Sequence, residues 1–363
     1  MKSFYQTAFG KIFHGNALDF MPTVQKGSVN LIMTSPPFGL VRKKEYGNVD
    51  ADQYLDWFRP FALEFKRLLK DNGSLVIDIG GTWIAGQPTR SLYQYELLIM
   101  LCKEFGFHLA QEFFWWNPSK LPTPAEWVNI RRVRVKDAIN CIWWLSPTPW
   151  PKASNRRVLI PYSESMKGLI KNGYKAKLRP SGHKISENFS IDNGASIPPN
   201  LIAIANTESN STYLRLCTEK GLKPHPARYP SELPEYFIRM LTDQNDFVFD
   251  PFAGSCVTGE VAERLNRKWI CCDTVKEYLE TALFRFVSET RDKKKKTSCY
   301  HLQHPAALWD DSDVEEKLPQ DGGQKRVSAK SKIKLHHDEV HNTLSSENKL
   351  MSKPLCQQFP LQF

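Results

Sequence analysis

Two short stretches of the 363-residue chain carry residue types that suit them to chemistry. Thr34-Ser35-Pro36-Pro37-Phe38-Gly39 directly follows the run SVNLIM. Consecutive prolines have no amide hydrogen and a fixed φ, so their carbonyls project in set directions as acceptors. An acceptor carbonyl, the Ser35 hydroxyl and the Phe38 ring together make a clamp for a planar ring bearing an amino group. The second stretch is Asp250-Pro251-Phe252-Ala253-Gly254-Ser255-Cys256-Val257-Thr258-Gly259. Small residues at such a turn let backbone approach a ligand, and a following helix start offers free amides. No Lys follows Gly259, so a phosphate-cradling loop is excluded, and the spacing does not give the dinucleotide fingerprint. Asp273 closes the next apolar run, where a carboxylate accepts both hydroxyls of a ribose. A ribose site without a pyrophosphate site points to a nucleoside ligand. Taken alone, the glycine-rich turn is equally compatible with a purely structural role.

Strands and helices must bring these stretches together. SVNLIMTS reads as a buried parallel strand that ends at the prolines, at the strand end where open α/β sheets bind ligands. Residues 51 to 73 have helical apolar spacing, with a kink expected at Pro60 and a stop at Asn72-Gly73. SLVIDIGG is the next strand and carries Asp78 near its end. That carboxylate is a partner for Ser35, orienting it or relaying its proton, or else a residue that caps a loop. A helix over 91 to 106 and strands at FHLAQEFFWW and DAINCIWWLS follow. After a turn-rich middle, SELPEYFIRMLTD is expected as a helix capped by Ser231. DFVFDPFAGS and KWICCD are strands, and VTGEVAERLNR and KEYLETALFRFVSET are helices. The alternation predicts an α/β fold, a doubly wound, mostly parallel sheet. The segment from 117 to 200 is expected as an inserted region of loops and not as core sheet. Residues 291 to 363 lose all periodicity and read as a disordered tail.

Composition narrows the function. No apolar run approaches the roughly 18 to 20 residues that span a bilayer, and the first residues lack a secretory pattern. A membrane or exported protein is therefore not expected. The eight cysteines are scattered without metal-binding spacing, so reduced thiols and no metal are expected. Of the net charge of +10, an equal excess lies between 117 and 187, with 14 Lys plus Arg against 4 Asp plus Glu. Six tryptophans, Trp115, Trp116, Trp127, Trp143, Trp144 and Trp150, lie among or just before these cations. Cations with aromatics suit a polyanion such as nucleic acid; a solvated basic face over core tryptophans accounts for the same pattern.

Asp-Pro-Phe-Ala-Gly-Ser resembles the S-adenosylmethionine motif of amino-methylating DNA methyltransferases. Thr-Ser-Pro-Pro-Phe resembles their catalytic motif in its N4-cytosine form, where Ser replaces the Asp or Asn of adenine enzymes. The order, catalytic motif first and cofactor motif last, is that of the β class. TSPPFGLVRKKEYGN, NPSKLPTPAEWVN, RVKDAIN, RPSGH, GASIPPN, HPARYPSELPEYFIRMLT and VAERLNRKWI extend the resemblance to PvuII-type modification methyltransferases over about residues 10 to 290. The resemblance implies a methyltransferase fold whose catalytic section is residues 1–116 and whose cofactor-binding section is residues 201–290, with residues 117–200 between them as the target-recognition region.

It also implies roles. Ser35, Pro36, Pro37, Phe38 and Asp78 form the catalytic group: Ser35 and the Pro36 carbonyl accept the two amino hydrogens while Phe38 stacks on the base. Asp250, Pro251, Phe252, Gly254, Ser255, Thr258 and Asp273 hold S-adenosylmethionine, with His225 and Pro226 at its methionine end and Asn16 near its adenine. Lys120, Arg131, Arg132, Arg134, Arg179 and His183 contact double-stranded DNA. Transfer is direct, without a cysteine nucleophile, and the cytosine must flip out of the duplex. A restriction endonuclease is the implied genetic partner, and the location is cytoplasmic, on the nucleoid, or nuclear in a eukaryotic host. Asn16 stands where the family usually has an acidic residue, and Cys256-Val257 depart from its commoner Gly-Ser-Gly-Thr-Thr. Two other readings stay open at this point: N6-adenine methylation, and a DNA-binding module with an inactive cofactor site.

Overall fold

The apolar runs become strands and the amphipathic segments helices in a computed structural model that describes residues 2–40, 49–173, 177–178, 180, 182, 184–207 and 211–287. In chain order these are β1 (Tyr5–Gln6), β2 (Gly10–His14), α1 (Ala17–Phe20), β3 (Val29–Thr34), α2 (Tyr54–Leu68), β4 (Leu69–Ile79), α3 (Tyr93–Lys103), β5 (His108–Trp116) and β6 (Ile139–Ser146). There follow α4 (Glu164–Asn172), β7 (Lys177–Leu178), β8 (Lys184–Ile185), β9 (Leu201–Ala203), α5 (Thr212–Glu219) and α6 (Glu232–Leu241). The last are β10 (Phe247–Asp250), α7 (Val257–Arg264), β11 (Lys268–Asp273) and α8 (Lys276–Ala282). The tail expected from 291, and with it Arg179 and His183, lies outside the described residues.

Nine strands form one sheet in the order β1-β2-β11-β10-β3-β4-β6-β5-β9, while β7 and β8 pair separately. From β2 to β4 all pairings are parallel. β6 runs antiparallel to both β4 and β5. The expected α/β sheet is thus present. Every residue of β3 is buried because both faces are covered. Leu31 and Met33 join the apolar cluster of α6 and α7. Ile32, of opposite parity, joins the aromatic cluster of Phe58, Phe61 and Phe65 on α2, as a strand period of two requires. From β10 the chain winds outward to β11 on one side, and from β3 to β4 on the other. The β3/β10 boundary is therefore the switch point, where strand ends leave a crevice.

Several expectations need correction. α2 runs through Pro60 and ends at Leu68; β4 starts at once, and Lys70–Gly73 bulge out of register, since Val29 pairs Leu69 but Leu31 pairs Ser74. The middle segment is not loops alone, because β6 lies inside it and joins the central sheet. Trp115, Trp127, Trp143 and Trp144 are buried, while Trp116 and Trp150 are exposed. Four of the six tryptophans are therefore core. Ser231 has helical backbone angles, and its side chain caps nothing; a cap needs extended backbone there. α5, which the sequence pattern did not announce, is capped by Ser211, whose hydroxyl accepts from the Leu214 amide at 3.3 Å. No described helix is long and apolar enough to cross a membrane.

Candidate active site

The crevice at the switch point opens into a cavity of about 880 Å³, within the size range of ligand sites. Behind its floor lies an Asp250 hub. This carboxylate is fully buried and accepts from Thr34 Oγ1 at 2.8 Å, Thr258 Oγ1 at 2.6 Å and the Phe252 amide at 3.1 Å. Burial pushes its pKa up to about 6 against the pull of those three donors. The Thr34 bond ties the end of β3, just before Ser35, to the glycine turn after β10. Asp250 and Thr258 do not line the cavity: they hold its two halves together from behind, which revises their expected role as cofactor ligands.

On the turn side, Gly254 has φ +52° and Cys256 φ +57°, the left-handed region that disfavours side chains. A Cβ on Gly254 would stand 3.0 Å from the His225 imidazole. Position 256, commonly Gly in the resembling family, holds its left-handed angles here with a buried Cys side chain. Asp273 accepts from the Gly254 amide at 2.8 Å through one oxygen and from the Val275 amide at 2.9 Å through the other. The Thr274 amide also donates to this carboxylate, which leaves about one of its roughly four acceptor positions for a further donor. Asn16 caps α1 by accepting from the Leu18 amide at 3.0 Å, so its amide oxygen has a structural task that a carboxylate would also perform. The buried His225 is lowered to about 4, mainly by burial, with Arg228 and Arg285 adding to the effect; the ring is therefore neutral at physiological pH. Trp57, Phe61 and Phe252 pack as an aromatic wall, with Phe252 4.9 Å from Phe61 and 5.7 Å from Trp57. Trp57 and Phe61 face the cavity one turn apart on α2, a spacing that in sequence looks no different from core.

On the β3 side, Ser35 Oγ donates to Asp78 Oδ2 at 3.0 Å, and Asn140 Nδ2 donates to Asp78 Oδ1 at 3.1 Å. Asp78 is 2% exposed and raised by burial to about 6, with the Asn140 and Ser35 bonds opposing the rise. Because Ser35 spends its hydrogen on Asp78, its lone pairs remain for an incoming N–H. Pro36, Pro37 and Phe38 line the same cavity. Phe38 lies against Gly80, where a Cβ would fall 2.5 Å from the ring. Gly80→Ala is therefore expected to tilt the ring and lower kcat/KM for the amine-bearing substrate about 10- to 100-fold, with cofactor affinity unchanged, as steady-state kinetics and calorimetry would register.

Fourteen of the expected site residues line one cavity: Asn16, Ser35, Pro36, Pro37, Phe38, Asp78, Lys120, His225, Pro226, Pro251, Phe252, Gly254, Ser255 and Asp273. Arg131 and Arg132 are exposed, and Arg131 pairs with Glu126 at 2.7 Å. Arg134 instead turns inward onto Asp137 at 3.0 Å, where Arg90 also binds at 2.7 Å, so it is a tie and not a free cation. Two residues escaped the sequence reading. Asn140 holds the second Asp78 oxygen. Arg285 Nε donates to the Ser255 carbonyl at 2.7 Å and Nη2 to its hydroxyl at 3.2 Å, with the guanidinium stacked 4.3 Å above Tyr213. Losing these charge-assisted bonds loosens the glycine turn. Arg285→Ala is expected to weaken cofactor binding about tenfold by calorimetry, while kcat at saturating cofactor changes little.

The cavity fits S-adenosylmethionine: Asp273 retains acceptor capacity for a ribose, Gly254 leaves room against His225, and the aromatic wall with nearby carboxylates favours a cationic sulfonium. Among the described residues no group of three His, Cys, Asp or Glu side chains is placed to hold a metal ion.

A family model described as DNA methylase matches residues 29–284. The type II methyltransferase M.PvuII of Proteus hauseri is 50% identical over 303 residues, covering 83% of this chain and 90% of that protein. M.BamHI of Bacillus amyloliquefaciens is 26% identical over 333 residues, covering 86% of this chain and 68% of its own. Among solved structures, a PvuII DNA methyltransferase described as cytosine-N4-specific superposes with a TM-score of 0.66 at 44% identity, covering 80% of this chain and 91% of that one.

Proposed function

We propose, from the premise that this chain belongs to the DNA methylase family, that it is a site-specific methyltransferase acting on the N4 amino group of cytosine in duplex DNA. S-adenosylmethionine, held by the Gly254 turn, Asp273 and the His225-Pro226 segment, supplies an electrophilic methyl group. The observation that carries the reading is the Ser35–Asp78 hydrogen bond at a strand end fastened to the glycine turn through Thr34 and Asp250.

The cytosine amine is a poor nucleophile because its lone pair is delocalised into the ring, so the protein's task is to favour a pyramidal nitrogen and aim it. Ser35 Oγ and the Pro36 carbonyl accept the two amino hydrogens, and Phe38 stacks on the flipped ring. The developing positive charge on nitrogen is drawn toward Ser35, and Asp78 takes up the proton through the serine hydroxyl. No cysteine takes part; Cys256, Cys271 and Cys272 are buried and Cys271 and Cys272 are raised by burial. Residues 117–200 serve as the target-recognition region, with Lys120, Arg131, Arg132, Arg179 and His183 contacting the DNA. The genetic partner is an endonuclease that cuts the same short palindrome, and the enzyme works on the nucleoid in the cytoplasm.

The test is to methylate a plasmid with purified protein and map the modified bases. The reading expects one short palindrome, modified at cytosine on both strands and thereby shielded from the partner endonuclease. Modification at adenine, or none in the presence of bound cofactor, rejects it.

A further inference from the structure

The chain between β5 and β6 forms a closed loop at the rim of the cavity. Its root is fastened: the Asn117 amide donates to the Ala138 carbonyl at 2.9 Å and the Asp137 amide to Thr123 at 3.2 Å. Lys136 Nζ reaches the carbonyls of Pro118 at 3.2 Å and Lys120 at 3.0 Å. The distal stretch winds around buried Trp127, whose carbonyl accepts from the Val133 and Arg134 amides, with Arg131 stacked on its ring. Arg90 and Arg134 meet on Asp137. These bonds make a loop with its own packed anchor. Its apolar side chains nevertheless point outward: Leu121 is 73% exposed, Ile130 69%, Val133 61% and Val135 86%. Five flanking root positions, Trp115, Asn117, Lys120, Ala138 and Asn140, line the cavity.

Apolar side chains gathered on a water-facing loop mark a binding surface. The exposed cations Lys120 and Arg132 on the same loop, with Arg131 beside them paired to Glu126 at 2.7 Å, select a polyanion as the occupant. Apolar side chains can insert as wedges between base steps and unstack them, and a base reached by an enzyme must leave the stack at an unstacking cost. We propose that this loop enters the duplex at the target base pair, with Val133 and Val135 filling the gap that the extruded cytosine leaves, while Arg132, and Arg131 in exchange for its Glu126 partner, grip the flanking phosphates. This deepens the proposed function and rests on it, since it names the side chains that keep the base in the cavity.

The experiment compares full-length protein with V133S/V135S on two duplexes, one with the target cytosine paired to guanine and one with it opposite an abasic position, where extrusion costs least. The variant is expected to lose at least tenfold in single-turnover rate on the paired duplex and less than about threefold on the abasic one, with unchanged cofactor affinity. Fluorescence of 2-aminopurine at the target position should rise on binding wild type and rise less with the variant. Equal losses on both duplexes, no loss on either, or a wild-type self-association in sedimentation that the variant abolishes, overturns the wedge. Wild-type protein inactive on both duplexes would strike the methyltransferase reading instead, so the two failures are distinguishable.

Discussion

Ser35→Ala should lower kcat about 10²- to 10³-fold, the effect of removing one group poised at the reacting centre, while cofactor affinity by calorimetry stays unchanged. Ser35 Oγ lies on the β3 side of the cavity and makes its bond to Asp78, not to the glycine turn, so its loss leaves the cofactor half intact. Alanine removes nothing but the hydroxyl, and Asn140 still satisfies one Asp78 oxygen. Stability should therefore change little, and the loss should appear in kcat with little change in KM for DNA. That pattern marks an interaction made in the transition state and not in the ground state.

Asp78→Asn should cost about as much, through an inversion of polarity. If the amide oxygen keeps the bond from Asn140, the amide nitrogen must donate to Ser35. The serine then spends a lone pair on its partner and directs its hydrogen at the substrate amine, the reverse of what capture needs. A rate loss of about 10²- to 10³-fold is expected, less than the roughly 10⁴-fold lost where asparagine replaces the aspartate that orients a catalytic histidine. Ser35→Ala combined with Asp78→Asn should be little worse than either change alone, because the two groups act as one unit.

The wild-type pH profile follows from the same carboxylate. Burial raises Asp78 to about 6 and the reaction needs it ionised, so the rate should fall as pH drops through about 6, and Asp78→Asn should flatten that limb. The stability sign is opposite. A carboxyl whose native pKa exceeds its ordinary value binds its proton more tightly when folded. Its stabilising contribution is full below about pH 4 and is lost as pH rises through about 6. Asp78→Asn should thus melt no lower than the wild type at about pH 7.5 while losing activity. A melting curve beside the rate profile checks both signs.

The Ser-Pro-Pro turn, the glycine turn and Asp273 were legible because proline, glycine and a strand-end carboxylate limit local backbone and donor chemistry so strongly. Asp250 was legible as important but not in its role: a carboxylate after a strand has the same local pattern whether it faces a ligand or the interior, and only the Thr34 and Thr258 bonds distinguish the two. Asn140 and Arg285 were illegible because their partners are 62 and 30 residues away. The charge count placed Arg134 among free cations, yet Asp137, three residues on, occupies it. The apolar run Ile142-Trp143-Trp144-Leu145 looked like a strand, but its basic surroundings disguised its place in the central sheet.

The identity of the methylated nucleoside tests the central claim most directly. Duplex DNA is treated with the enzyme and methyl-labelled S-adenosylmethionine, digested to nucleosides and analysed by mass spectrometry. An amine held by a serine hydroxyl and a proline carbonyl puts all the label in N4-methyl-2′-deoxycytidine. Label in N6-methyl-2′-deoxyadenosine, or on the ring carbon of cytosine, would contradict it.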